Sequence, residues 1–171
     1  MWESRSFAAT GARHCVPLGA NAIVWTEAAV GLHIERLSGA TRTLPCKTVS
    51  SIDIRLQSAQ VHFVAGGTED GTVHIWEVDL AGESISVRQL GAFHKVHQGS
   101  VTAVVILEDG RIASGGSDCA VVLTRWSESG TSADHSQRLQ LKLRCKRMKI
   151  DGLQGTVERQ VLEAIIAHST V

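Results

Sequence analysis

The stretch VHFVAGGTEDGTVHIW, Val61 to Trp76, decides how this chain folds. Val61–Ala65 is a short apolar β run that Gly66 and Gly67 bring to an end, and Thr68–Gly71 is a polar turn. Thr72–Trp76 is a second strand, with Val73 and Ile75 on its inward side. Two such runs around an Asp-Gly turn predict a β-hairpin. The same order returns downstream as RIASGG, the turn SDCA and VVLTRW, ending at Trp126. Two copies of one strand–turn–strand unit predict a repeat architecture. The pairs Gly66-Gly67 and Gly115-Gly116 read as suppliers of φ freedom at the turns. They open no helix, so they do not make a phosphate cradle.

These residues carry a family resemblance. Gly67-Thr68-Glu69-Asp70-Gly71-Thr72-Val73-His74-Ile75-Trp76-Glu77 resembles the closing signature of a WD repeat, G-S-x-D-x-T-V-x-L-W-D, with Glu77 at the final Asp. His97-Gln98-Gly99-Ser100-Val101-Thr102-Ala103-Val104, followed by Asp109-Gly110, is similar to the opening of such a repeat. The resemblance implies a β-propeller, in which four-stranded blades pack radially and serve as a rigid binding surface. It also implies a hydrogen-bonded network inside each blade, made by a His, a strand Ser or Thr, a turn Asp and a Trp. His97, Ser114 and Asp118 stand at those positions in the third blade, with Thr124 at the Trp position and Trp126 two residues later. Asp70 and Trp76 stand at them in the second blade, where Gly66 replaces the Ser and no His precedes Val49 at the matching distance.

Working outward, Val49–Ile52 opens the second blade, and Ile85–Leu90 is its expected outer strand. The third blade runs through Val101–Leu107, Ile112–Ser114 and Val121–Arg125. Asp70 and Asp118 are 48 residues apart, slightly above the ~40–45 of a WD repeat; a longer loop around Leu90–Gly99 is expected to absorb the excess. Ala22–Trp25, Gly31–Leu37 and a strand near Thr41–Pro45 form a degenerate first blade, and residues 1–19 are an irregular or edge-forming lead-in. The expected fold is therefore all-β: a WD-repeat-like array of antiparallel blades over 1–135, at about 20–46, 47–91 and 92–126. Three blades fall short of the ~4–8 that close a propeller, so two raw edges are expected.

Ser127–Gln137 is polar and reads as a loop, after which the pattern changes. Leu139, Leu141, Leu143 and Cys145 alternate with polar residues as a strand. Thr156 offers an N-cap for a helix over Val157–His168, with Val157, Val161, Ala164 and Ile165 on one face and Leu162 and Ile166 widening it. This second region, 136–171, is basic: from residue 138 onward seven Lys and Arg face three Asp and Glu, although the whole chain has a formal net charge of zero. The strand and helix are expected to cover the open end of the array.

With no Tyr and three Phe, the core must be aliphatic. No apolar run approaches the ~18 residues that span a bilayer, and no membrane partner is expected. Cys15, Cys46, Cys119 and Cys145 lack C-x-x-C spacing, which fits reduced, unpaired and mostly buried thiols in a cytoplasmic or nuclear protein. His94 and His97 have H-x-x-H spacing, but zinc needs three or four ligands and nothing nearby completes the set, so no metal is expected. No nucleotide loop, nucleophile elbow or dinucleotide fingerprint occurs; neither an enzyme, a cofactor nor a small-molecule ligand is expected. Arg138, Lys142, Arg144, Lys146, Arg147 and Lys149 form a strip free of acidic residues. It suits a protein partner, or in the alternative the phosphates of RNA, although no aromatic residues interleave to stack on bases. The expected function is a non-enzymatic protein–protein interaction scaffold or adaptor.

Overall fold

The computed structural model describes residues 11–27, 30–44, 46, 48–126 and, as backbone, 137–139. β1 (Ala12–Leu18), β2 (Ala22–Glu27), β3 (Gly31–Arg36) and β4 (Thr41–Leu44) form a first antiparallel sheet in sequence order. β5 (Val49–Leu56), β6 (Val61–Thr68), β7 (Val73–Asp79) and β8 (Ser86–Phe93) form a second. β9 (Val101–Ile106), β10 (Arg111–Gly116), β11 (Val121–Arg125) and β12 (Gln137–Leu139) form a third. All three are open sheets, and no helix occurs among the described residues.

The sheets meet through their first strands, with β5 lying against both β1 and β9. The side chains explain this stacking. Val64, Trp76 and Val78 on one face of the second sheet pack with Leu18, Val24, Leu32 and Ile34 of the first. Ala65, Val73 and Ile75 on its other face pack with Val101, Val104, Ile106 and Ile112 of the third. A sheet covered on both faces needs apolar residues at both parities, which is why the Val61–Ala65 run hardly alternates.

Polar side chains fix the junction between the second and third sheets. Ser50 Oγ donates to the Val101 carbonyl at 2.5 Å, Asp53 Oδ2 accepts the Ile106 amide at 2.6 Å, and the Arg55 guanidinium donates to the Leu107 carbonyl. Arg36 donates to the Leu80 carbonyl between the first and second sheets. All four side chains finish on main-chain atoms.

Several expectations need correction. Of the two readings of the lead-in, the edge-forming one holds from Ala12, where β1 pairs with β2 as the edge of the first sheet, and the irregular one does not. Pro17 lies in it, and an edge strand tolerates the missing donor. The outer strand of the second sheet runs on to Phe93, so the connecting loop is shorter than expected. Gln137 belongs to a strand rather than a loop, because β12 pairs along β11 with Leu139 opposite Val121. Residues 140–171, and with them the rest of the expected strand and the helix over Val157–His168, lie outside the described residues. Cys15, Cys46 and Cys119 are free thiols, but only Cys46 is buried, against the expectation that most would be, because Cys15 lies on an edge strand and Cys119 in a turn; Cys145 lies outside. No helix among the described residues is long and apolar enough to cross a membrane.

The Gly-Gly pairs were expected to relax the turns, but they sit inside β6 and β10 and do not have positive φ. Their smallness serves packing instead. A Cβ on Gly67 would lie 2.5 Å from Ser51 Oγ, and one on Gly116 would lie 2.5 Å from Cγ of His97. The turn residue with positive φ is Gly71 at 83°, and Cys119 takes the equivalent place at 59°. Cys119→Gly should therefore stabilise the chain by about 1 kcal/mol, because the left-handed conformation is unfavourable for a residue with a Cβ. A urea midpoint that stays put or falls would contradict this.

Candidate functional site

The polar centre of the third sheet is a chain of three side chains from three places. Ser114 comes from β10, Asp118 from the β10–β11 turn, and His97 from the segment entering β9. His97 Nδ1 lies 2.9 Å from Asp118 Oδ1, and its Nε2 lies 2.9 Å from Ser114 Oγ. The carboxylate only accepts, so Nδ1 carries a proton toward it, and Nε2 makes the second bond with the Ser114 hydroxyl. Asp118 also accepts the amides of Gln98 at 3.0 Å and Ala120 at 3.2 Å. Two backbone features hold the ring in place. The His97 amide donates to the Gly71 carbonyl of the neighbouring sheet at 3.2 Å, and Gly116 leaves the room that the imidazole fills.

Burial pushes the Asp118 carboxyl up, but the Gln98 amide, the His97 ring and the Ala120 amide outweigh it and hold it down at about 2. A carboxyl held below its unfolded value contributes stability above that value and loses it as pH falls through the folded one. Asp118 should thus contribute about 2 kcal/mol at neutral pH. That contribution should disappear between about pH 4 and pH 2. Asp118→Asn should remove most of this acid limb from the plot of urea midpoint against pH; a limb of unchanged depth would show that Asp118 does not produce it.

The second sheet solves the same turn differently. Thr68 Oγ1 donates to Asp70 Oδ1 at 2.5 Å, and the Thr72 amide donates to the same oxygen at 3.1 Å. The Thr68 bond is the largest cause of a lowered Asp70 carboxyl pKa. Trp76 is buried but stacks on His74, with ring centroids 5.3 Å apart. Its six-membered ring covers Gly66, where a Cβ would come within 2.9 Å. Asp70 and Trp76 thus serve separate clusters, whereas His97, Ser114 and Asp118 join in one.

Sequence reasoning missed the first sheet's counterpart, a stack of Trp25 on His33 at 4.1 Å, with His33 Nδ1 3.0 Å from Thr43 Oγ1. The hairpin register was the available signal, because it sets Trp25 directly opposite His33. It also missed Ser50, Asp53 and Arg55, whose signal is polar residues spaced among the apolar Val49, Ile52, Ile54 and Leu56 of the first strand. His94 is exposed, while both ring nitrogens of His97 are engaged, so the two do not form a ligand pair. Among the described residues no three His, Cys, Asp or Glu side chains come together as a metal set. Arg138 is placed by its backbone alone, opposite Val122. Lys142, Arg144, Lys146, Arg147 and Lys149 lie outside.

The order Ser–His–Asp resembles a nucleophile with its base and orienting acid, and its distances permit that chemistry. Access does not. Ser114 and His97 are each 1% exposed, and the hydroxyl faces only the imidazole and, at 3.5 Å, the Val122 carbonyl. The three groups satisfy one another and tie the turn to the strand. A groove of about 410 Å³ opens between the second and third sheets, with Phe63, Trp126 and the exposed Leu56 along it. Its Arg55 is bonded to Leu107 and its Asp109 to Arg111, and no Ser, Thr, Cys, His or Lys lines it. The buried Cys46 thiol is pushed up by desolvation, which keeps it protonated and unreactive.

No family model and no curated protein matches the chain. The geometry is therefore the ground for a functional reading.

Proposed function

We propose that the three sheets are blades of a WD-repeat-like β-propeller array, and that the chain is a non-enzymatic scaffold for protein partners. The observation that carries this reading is the buried Ser114–His97–Asp118 chain. Its chemistry is wholly spent inside the fold, in the positions that the WD-repeat resemblance implies. Sheets stacked through their first strands, β1 against β5 and β5 against β9, are also what radial blades require. Proteins of this architecture act through outer surfaces and loops held rigid by the core.

Affinity isolation of the tagged chain from its source, with quantitation of what remains bound, tests the proposal. A stoichiometric protein partner that survives nuclease and depends weakly on salt is the expected result. Binding to a protein-free RNA that falls with a log–log salt slope of about −4 or steeper would favour phosphate contacts by the strip from Arg138 to Lys149 instead. Turnover by the purified chain that Ser114→Ala abolishes without loss of folding would overturn the non-enzymatic reading.

A further inference from the structure

The 48-residue offset that relates Asp70 to Asp118 also sets Glu77 and Val78 against Arg125 and Trp126. Val78 is fully buried in the core between the first and second sheets, and Glu77 pairs with Arg88 of its own sheet at 3.1 Å. Their counterparts are not used up in this way. Trp126 meets Phe63 edge to face, with ring centroids 4.8 Å apart, and is only partly buried along the groove between the second and third sheets. Its Nε1–H is buried and has no acceptor among the described residues, although a buried indole N–H ordinarily finds one. Arg125 is exposed on the same groove, and its guanidinium makes no hydrogen bond or ion pair among the described residues. Its charge reaches Asp109, but that carboxylate is already held by Arg111 at 2.7 Å.

We propose that this groove receives an extended segment of the protein partner inferred above, a reading on which this site rests. A large apolar side chain of that segment packs against Leu56, Phe63 and Trp126, and an acidic side chain next to it accepts from Trp126 Nε1–H and Arg125. The volume of about 410 Å³ falls within the ~300–1,000 Å³ of pockets that hold a ligand. Phe63, Ile106 and Trp126 supply an apolar floor, and Leu56 stands on the rim with 61% of its surface in water. The two unused groups are both donors, and a carboxylate satisfies donors with charge-assisted bonds. A basic segment would leave the indole N–H unpaired and face two arginines, Arg55 and Arg125. A run of phosphates would meet the carboxylates of Glu108 and Asp109 along the same groove. A single acidic side chain beside an apolar anchor fits the apolar floor, the indole and the guanidinium together.

Titration of the nitrogen-15-labelled full chain with acetyl-Phe-Asp-amide, followed at the indole signals by NMR, tests the site; Trp126→Phe identifies which of the four indoles is Trp126. The Trp126 Nε1–H signal should move and saturate. The neutral isostere acetyl-Phe-Asn-amide should bind about tenfold more weakly, as expected for loss of a charge-assisted bond. Arg125→Gln should erase the difference between the two peptides, Glu108→Gln should tighten the acidic one, and Leu56→Ala should weaken both alike. A Trp126 signal that stays still up to the solubility limit, or equal affinity for the two peptides, overturns the proposal. Leu56 and Arg125 are exposed, so an unchanged urea midpoint is expected for the double variant Leu56→Asp/Arg125→Glu, which then separates this site from the scaffold reading. A partner that the native chain retains and the double variant loses supports the groove. A partner retained equally by both overturns the groove and leaves the scaffold reading standing. Selective binding of the acidic peptide with no partner retained supports the groove and removes the scaffold reading.

Discussion

Gly71→Ala should lower stability by about 4 kcal/mol, the sum of a left-handed backbone forced on a residue with a Cβ and a rigid overlap. At φ 83° the added carbon would press into the His97 carbonyl and lie 2.9 Å from that of Gly99. Both obstacles are main chain, so no rotamer change relieves them. Gly110 is the control: its φ is 80°, but a Cβ there meets nothing within 4 Å. Gly110→Ala should cost only about 1 kcal/mol. Equal losses in urea midpoint for the two variants would show that the overlap contributes nothing and that the turn of the second sheet does not seat the His97 segment.

His97→Ala should cost about 3–5 kcal/mol, because it leaves the Asp118 carboxylate without its buried partner and opens a cavity under the turn. Ser114→Ala should cost about 1 kcal/mol, the net worth of one neutral hydrogen bond. Asp118→Asn should fall between them, since an amide still accepts from the Gln98 or Ala120 amide. The order His97, Asp118, Ser114 in denaturation is the diagnostic. A loss below about 1 kcal/mol for His97→Ala would contradict the fold-holding role given to the chain of three.

The central hairpins were legible because their signals are local. The Asp-Gly turn and its apolar flanks place β6 and β7 to within a few residues, and the repeat carries the reading to β10 and β11. β1 was harder, because the stretch around His14, Cys15 and Pro17 has no period-2 alternation; its strand conformation comes from pairing with β2. The glycine pairs were misread since a sequence shows a missing Cβ without showing what fills its place, here Ser51, Trp76 and His97. At the candidate site, spacing identified His97, Ser114 and Asp118. It could not show that Thr68 would replace a histidine beside Asp70, because that bond depends on the local curl of one turn.

The links from β5 to β9 end on the carbonyls of Val101 and Leu107 and the amide of Ile106. Every residue supplies a carbonyl and every residue but proline an amide, so the hydrogen bonds ask for no particular side chain on the accepting strand, where Val101 and Ile106 answer only to core packing. Selection for the joint falls on one side only, at Ser50, Asp53 and Arg55. In a set of related sequences Ser50, Asp53 and Arg55 should stay fixed, while 101 and 106 keep only the apolar volume that the core between the sheets requires and show no polar partner for the clamp. A unit built this way accepts any neighbour that brings a strand with an apolar face, which is the property that lets a duplicated segment join an array before it has acquired polar partners of its own.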